Sequence, residues 1–66
     1  MKNNIKDLRT SHGFSQDSLA EKLSVSRQTI ISLEKGRYNP SITLAFKLAH
    51  LFNCLIEDIF IYEEDK

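Results

Sequence analysis

The segment SQDSLAEKLSVSRQTIISLEKG, residues 15–36, decides the fold of this chain. Its apolar residues recur at the spacing typical of amphipathic helices. Ser15 and Ser26 each precede one of two helical runs, where a serine hydroxyl can accept a hydrogen bond from a free amide of the first turn. We therefore predict two short helices, over residues 16–23 and 27–35, joined by a tight turn.

The turn between these two helices is too short for an antiparallel arrangement, so the helices must cross at a steep angle. Ala20 lies at the predicted crossing, which leaves room for little more than a methyl group. The apolar wedge between the helices consists of Leu19, Ala20, Val25, Ile30 and Leu33. At about 100° per residue, the second helix turns outward Arg27, Gln28, Ile31 and Ser32. That face carries no acidic group, and the helix fits a DNA major groove, which is about 12 Å wide.

Residues that start and stop helices predict three further helices. The first covers residues 4–11, with Ile5 and Leu8 on one face. Asn39-Pro40 blocks helix continuation, Ser41 caps a fourth helix that ends near Phe52, and Asn53 suits a left-handed end. A short fifth helix covers residues 56–60, and the run Phe60-Ile61-Tyr62-Glu63 has the composition of a strand. The predicted fold is all-α. The sequence does not decide whether a short terminal antiparallel sheet accompanies the helices.

Length and composition indicate a single domain spanning residues 1–66. Apolar residues make up 41% of the chain, which is enough for a folded core. The one cysteine, Cys54, cannot form an internal disulfide, so we expect a reducing compartment. The N-terminus is too polar for a signal peptide, and no apolar stretch approaches the length of a bilayer span. We therefore expect a cytoplasmic protein with no membrane contact.

The charges are balanced in total but unevenly distributed. Residues 1–50 carry eight basic and four acidic side chains, a net charge of +4, whereas residues 51–66 carry one basic and five acidic, a net charge of −4. This asymmetry favours a basic working face with the acidic tail Glu63-Glu64-Asp65 turned away from it. The alternative is that charged residues are unevenly placed by chance, which would give the same net charges for the two parts of the chain.

The spaced residues of the chain resemble those of the Cro/CI-type, or XRE, helix-turn-helix repressors of phages and bacteria. The matching string is Ser15-Gln16-x-x-Leu19-Ala20-x-x-x-x-Val25-Ser26-Arg27-Gln28-Thr29-Ile30-x-x-x-Glu34-x-Gly36-x-x-x-Pro40. The likeness continues through Thr43-Leu44-x-x-Lys47-Leu48-Ala49 and Glu57-Asp58-Ile59-Phe60. In length and in its Tyr-Asn-Pro-Ser segment the chain is most similar to compact repressors of Gram-positive bacteria. The resemblance implies a five-helix, lambda-repressor-like bundle with a short β-sheet. It also implies a nucleoid-associated homodimer of bacterial or phage origin.

The resemblance also implies which residues contact DNA. The base-reading positions match Arg27, Gln28 and Ser32, with Thr29 nearby for a phosphate or a thymine methyl group. Arginine suits guanine and glutamine suits adenine, because each can form two hydrogen bonds with its base. Contacts to the DNA backbone are implied for Gln16, Ser26, Lys35, Arg37, Tyr38 and Asn39. Arg9 and Glu34 match a structural ion pair between the first and third helices.

Two positions depart from the family pattern. Ile31 stands where an exposed polar residue is usual; it either contacts a thymine methyl group or is simply an exposed apolar side chain. Leu55 replaces a frequent serine cap, which leaves the start of the fifth helix open.

The other polar residues indicate neither metal binding nor catalysis. His12, His50 and Cys54 lack the close spacing of zinc ligands. No serine, histidine and aspartate are placed as a triad, and no glycine-rich loop could hold a phosphate. We expect no metal, no cofactor, no small-molecule ligand and no enzymatic activity.

Several apolar side chains exceed what one small core can bury, and they predict a homodimer. The expected interface consists of Leu51, Leu55, Ile61 and Tyr62, with Phe46 beside it. The sequence therefore predicts a transcriptional regulator of double-stranded DNA, acting as a repressor on a near-palindromic operator. The alternatives are an antitoxin-like protein whose main partner is another protein, and an activator or restriction–modification controller, which the residues do not separate from a repressor.

Overall fold

The computed structural model describes residues 1–62 and contains five helices and one two-stranded antiparallel sheet in that range. The elements are β1 (Lys2–Asn3), α1 (Ile5–Ser11), α2 (Gln16–Leu23), α3 (Arg27–Glu34), α4 (Ile42–Phe52), α5 (Ile56–Ile59) and β2 (Phe60–Ile61). The predicted five-helix bundle with a small sheet is therefore confirmed. The acidic tail, which we expected to face away from the working surface, lies outside the described residues.

The three longest helices begin at serine caps. The hydroxyl groups of Ser15, Ser26 and Ser41 accept hydrogen bonds from the amide three residues further on, at 3.0, 3.1 and 3.2 Å. Each hydroxyl satisfies one first-turn N–H that has no acceptor within its helix. The positions of these helix starts are as predicted because they depend on chemistry local to the sequence.

Left-handed residues end helices and set the direction of the chain. Gly36 and Asn53 follow α3 and α4 with φ values of 73° and 54°, and the left-handed end predicted at Asn53 is therefore present. Ser24 is also left-handed, with φ of 59°, and it turns the chain sharply between α2 and α3. The third helix ends at Glu34, one residue earlier than predicted, with Lys35 as its C-cap.

The fifth helix is capped from inside the helix. The Leu55 amide donates to Asp58 Oδ2 at 3.0 Å, so the aspartate compensates for the missing serine cap. The helix ends at Ile59 and not at Phe60, because Phe60 is extended and pairs with Asn3 in the sheet. A strand as short as β1 carries no periodic pattern, and the sequence did not predict it.

The core lies where α2, α3 and α4 meet. It consists of Ile5, Leu19, Ala20, Leu23, Ile30, Leu33, Leu44, Leu48, Phe52 and Ile59. The predicted wedge between α2 and α3 is buried, with Ala20 only 4% exposed; Val25 is partly buried and packs against the core. Burying one side of α3 leaves its opposite side facing outward.

An ion pair between Arg9 and Glu34 joins α1 to the C-terminal end of α3. Arg9 Nε donates to Glu34 Oε2 at 2.5 Å, and the two side chains are 11% and 7% exposed. The same guanidinium donates through Nη1 to the carbonyl of Phe14 at 3.0 Å, and Gln16 Nε2 donates to Glu34 Oε1 at 3.1 Å. The pair thus holds α1, the start of α2 and the end of α3 together.

Replacing Arg9 with methionine should lower the free energy of unfolding by about 3–5 kcal/mol, because it leaves the Glu34 carboxylate buried without its partner. The measurement is urea-induced unfolding followed by circular dichroism. Replacing both residues, Arg9→Met with Glu34→Met, should recover part of the loss. The control, Lys6→Met, alters an exposed residue of the same helix and should change stability by less than about 0.5 kcal/mol. Equal midpoints for the Arg9 and Lys6 variants would show that the ion pair has no structural role.

Candidate nucleic-acid interface

The outward face of α3 brings together the residues predicted to read bases. Arg27 and Gln28 are exposed in the first turn, and Thr29, Ile31 and Ser32 are half-buried along the flank. On the opposite side, Ile30 and Leu33 are fully buried. The core therefore fixes the rotation of α3 about its axis, and the polar residues cannot turn inward.

The hydroxyl groups of Ser26 and Thr29 are already engaged with each other. Their oxygen atoms lie 2.9 Å apart, and Ser26 Oγ also accepts from the Thr29 amide at 3.1 Å. These contacts leave Arg27 and Gln28 as the first-turn side chains with long, exposed polar groups.

Tyr38 lies beside the outward face of α3. A hollow of about 180 Å³ is lined by Ser26, Gln28, Thr29, Ser32 and Tyr38. The tyrosine reaches this position because the loop after α3 folds back, with the Arg37 amide donating to the Ser32 carbonyl at 3.1 Å. Tyr38 was predicted only as a contact to the DNA backbone. Its closeness to Gln28 and Ser32 could not be predicted, because it depends on the conformation of the loop.

The loop after α3 carries the other residues that were predicted to contact the DNA backbone. Lys35, Arg37 and Asn39 are all exposed. Met1 lies close to Gly36, because its ammonium donates to the Gly36 carbonyl at 2.8 Å. Glycine allows this approach, since a Cβ at position 36 would lie only 3.1 Å from the Met1 carbonyl oxygen. The start of the chain therefore packs against this loop.

A second polar hollow, of about 430 Å³, lies at the N-terminal end of α2. It is lined by Lys6, Arg9, Ser15, Gln16, Asp17 and Arg27. The Gln16 side chain donates one N–H to Glu34, which leaves its second N–H available. Together with first-turn amides of α2, such a group can donate to a phosphate oxygen.

Sequence analysis missed Lys6 and Asp17 as members of this site. Lys6 lies three residues before Arg9 on α1, so helical spacing could have placed both on one face. The Asp17 carboxylate lies 3.7 Å from Arg27 Nε, a contact between two helices that no local pattern reveals.

Large apolar side chains are exposed on α4, just before α5, and in and just after β2, and we refer to these residues together as the apolar face. Phe46, Leu55, Ile61 and Tyr62 are 57%, 65%, 40% and 78% exposed, whereas Leu51 is half-buried against the core. Phe46 and His50 border two hollows, of about 370 and 640 Å³. The chain thus separates a polar face on α3 from an apolar face on α4.

The side chains considered as metal ligands are not grouped. Within residues 1–62, no cluster of three or more histidine, cysteine, aspartate or glutamate side chains could hold a metal ion. Burial, with a smaller contribution from the charge of Asp58, raises the pKa of the Cys54 thiol. No helix in the same range is both long and apolar enough to cross a membrane.

A helix-turn-helix whose second helix presents exposed polar side chains defines a class of DNA-binding proteins. Comparison with known families supports this class, because the helix-turn-helix family HTH_3 matches residues 5–59. The chain belongs to this family, and the resemblance to XRE-type regulators is confirmed. It is a transcriptional regulator with a helix-turn-helix DNA-binding domain, and the prediction that it is not an enzyme is confirmed by the family.

Individual relatives come from both archaea and bacteria. The chain is 59% identical over 66 residues to an uncharacterised HTH-type transcriptional regulator of Methanocaldococcus jannaschii, MJ0272, across the full length of both chains. It is 46% identical over 65 residues to the regulator YgzD of Bacillus subtilis, covering 98% of each chain. Among solved structures it is similar to the restriction-modification controller protein C.AhdI of Aeromonas hydrophila, with a TM-score of 0.74, 30% identity and 85% of each chain covered. The likeness therefore extends beyond Gram-positive bacteria.

Replacing Gln28 with alanine should relax the base preference at one position of the bound site, because it removes a side chain able to form two hydrogen bonds with adenine. The measurement is selection of bound duplexes from a random pool, compared between the wild type and the variant. The control, Ser11→Ala, changes an exposed residue of α1 that lines neither polar hollow, and it should leave the selected motif unchanged. An unchanged motif for Gln28→Ala would contradict base reading by this residue.

Proposed function

We propose that this regulator is a repressor that binds a near-palindromic operator as a two-fold homodimer. The observation that carries the proposal is the division of α3 into a fully buried side, with Ile30 and Leu33, and an outward side with exposed Arg27 and Gln28. A helix fixed in this way can place its first turn against base edges while its neighbours contact the backbone.

Base reading is assigned to the outward residues of α3. Arg27 contacts guanine and Gln28 contacts adenine, each through two hydrogen bonds that contribute about 1–3 kcal/mol of discrimination. Ser32, one turn further along the same side, contacts the next base pair or a bridging water. Thr29 has a weaker part because its hydroxyl is engaged with Ser26.

Residues that contact the DNA backbone lie on both sides of the base-reading residues. Gln16 and the first-turn amides of α2 bind one phosphate, supported by the polar hollow around them. On the other side, the exposed loop after α3 supplies Lys35, Arg37, Tyr38 and Asn39. Ser26, at the start of α3, has a weaker part because its hydroxyl is engaged with Thr29. Such contacts fix the register of the protein on the duplex, whereas base contacts determine the sequence.

The apolar face supports the homodimer. Leu55, Ile61 and Tyr62 are exposed, Leu51 lies half-buried beside them, and Phe46 continues the face along α4. A monomer this small rarely exposes so many large apolar side chains without a partner. A two-fold axis through this face would set two copies of α3 about 34 Å apart, which is one helical turn of DNA.

A second candidate function is that of a restriction–modification controller. The observation in its favour is the similarity to C.AhdI, which covers 85% of each chain. A controller would use the same DNA contacts. The two functions differ in the genes that are regulated, so they are distinguished by whether the operator selected from a random pool occurs beside restriction–modification genes.

Replacing Leu55 with aspartate should convert the dimer into monomers, because it places a charge in the centre of the apolar face. The helix should survive, because aspartate is a favourable residue at the N-cap position that Leu55 occupies. Sedimentation equilibrium measures the association, and selection from random duplexes should recover an inverted repeat for the wild type only.

The control for this experiment is Ser11→Asp. Ser11 is exposed at the end of α1 and lines neither hollow beside Phe46, so this variant should remain a dimer. A Leu55→Asp protein that still sediments as a dimer, or a wild-type motif without two-fold symmetry, would contradict the proposed assembly.

Replacing Lys35 with alanine should weaken binding to all sequences, because it removes one phosphate contact and the counterion release that accompanies it. The slope of log K against log salt should fall by about 0.9 per half-site. The measurement is fluorescence anisotropy over a range of salt concentrations. Lys47→Ala, an exposed lysine on α4, serves as the control and should keep the wild-type slope. An equal slope for all three proteins would remove Lys35 from the backbone contacts.

A further inference from the structure

Asp17 introduces a negative charge beside the base-reading residues. It is the second residue of α2, and its Oδ1 atom lies 3.7 Å from Nε of Arg27, the first residue of α3. Both side chains line the polar hollow in which Gln16 lies. A carboxylate at this position repels DNA phosphates, so its presence needs a reason.

Folding stability supplies only part of that reason, because a carboxylate in the first turn of α2 interacts favourably, but weakly at an exposed site, with the positive end of the helix dipole. The side chains of Arg27 and Asp17 are 61% and 74% exposed, and ion pairs this exposed contribute little to stability. The capping of α2 is already provided by Ser15, whose hydroxyl accepts from the Ser18 amide. The contact with Arg27 is the feature of Asp17 that concerns the base-reading surface.

The geometry of the contact suits an arginine that reads a base. Contact through Nε leaves both terminal amino groups of Arg27 free, and these are the groups that can pair with guanine O6 and N7. Arg27 also lies at the positive end of the α3 dipole, where a cation is disfavoured and a nearby carboxylate compensates. A long arginine side chain has many rotamers, and restraining it before binding lowers the entropy lost on binding.

We propose that Asp17 is a positioning residue for sequence specificity. It restrains Arg27 toward the base edges and at the same time lowers affinity for DNA of any sequence. Both effects increase the ratio of specific to non-specific binding, which is the quantity that defines specificity. This inference rests on the proposed function, because it requires Arg27 to read a base pair.

The test is Asp17→Asn, which keeps the shape of the side chain and removes its charge. The base pair read by Arg27 is first identified as the one whose preference is lost in Arg27→Ala. Affinities are then measured for the operator, for the operator changed at that base pair, and for random duplex. We expect Asp17→Asn to bind random duplex about two- to fivefold more tightly and to lose about two- to fivefold of its discrimination at that base pair, which is within what an exposed ion pair can supply.

Two control variants separate positioning from simple charge repulsion. Glu21→Gln removes an exposed carboxylate elsewhere on α2 and should leave discrimination at that base pair unchanged. Asp17→Glu keeps the charge and should retain most of the discrimination. Thermal melting of each variant checks that the fold is intact.

The outcomes distinguish this inference from the proposed function. If Asp17→Asn changes affinity for all duplexes by one common factor while Arg27→Ala loses discrimination, the positioning role of Asp17 is overturned and base reading by Arg27 stands. If Arg27→Ala keeps full discrimination, base reading by Arg27 is overturned and this inference with it.

Discussion

The buried contact between Arg9 and Glu34 is the interaction on which the working surface depends. Glu34 is the last residue of α3, and through it the helix is tied to α1 by Arg9 and to the start of α2 by Gln16. The arginine also holds the loop before α2 through the carbonyl of Phe14. Because one charged pair joins three helices, the start of α2 is fixed relative to the C-terminal end of α3, while the apolar wedge between α2 and α3 positions the first turn of α3. The start of α2 can contact a phosphate while α3 contacts the bases only if the two helices keep this relative position.

The two faces of the molecule follow from this arrangement. With Ile30 and Leu33 fixed in the core, α3 can present only its polar side, and the hollows beside it are lined by polar groups from α1, α2 and the following loop. Most of the large apolar side chains that remain exposed lie on α4, just before α5, or in and just after β2. With separate polar and apolar residues, the proposed self-association would not compete with DNA binding for the same side chains.

The parts of the fold predicted from sequence are those determined by local chemistry. Serine caps at Ser15, Ser26 and Ser41 and left-handed ends at Gly36 and Asn53 depend on neighbours within a few residues, so their positions could be predicted. The end of α5 and the strand β1 depend on pairing between distant parts of the chain, which leaves no periodic signal. The contact of Asp17 with Arg27 and the position of Tyr38 beside α3 likewise arise only when separate elements meet. The general location of the DNA-binding face could be predicted, but these finer contacts could not.

The central claim is that the first turns of α3 meet the bases while the face on α4 does not touch DNA. Titration of the isotopically labelled protein with its selected duplex, followed by two-dimensional amide NMR, tests it most directly. The account predicts large shifts for amides of residues 26–32 and of Gln16, with small shifts at Phe46 and Leu55. Undisturbed signals at residues 26–32, with the main changes on α4 and α5, would contradict it.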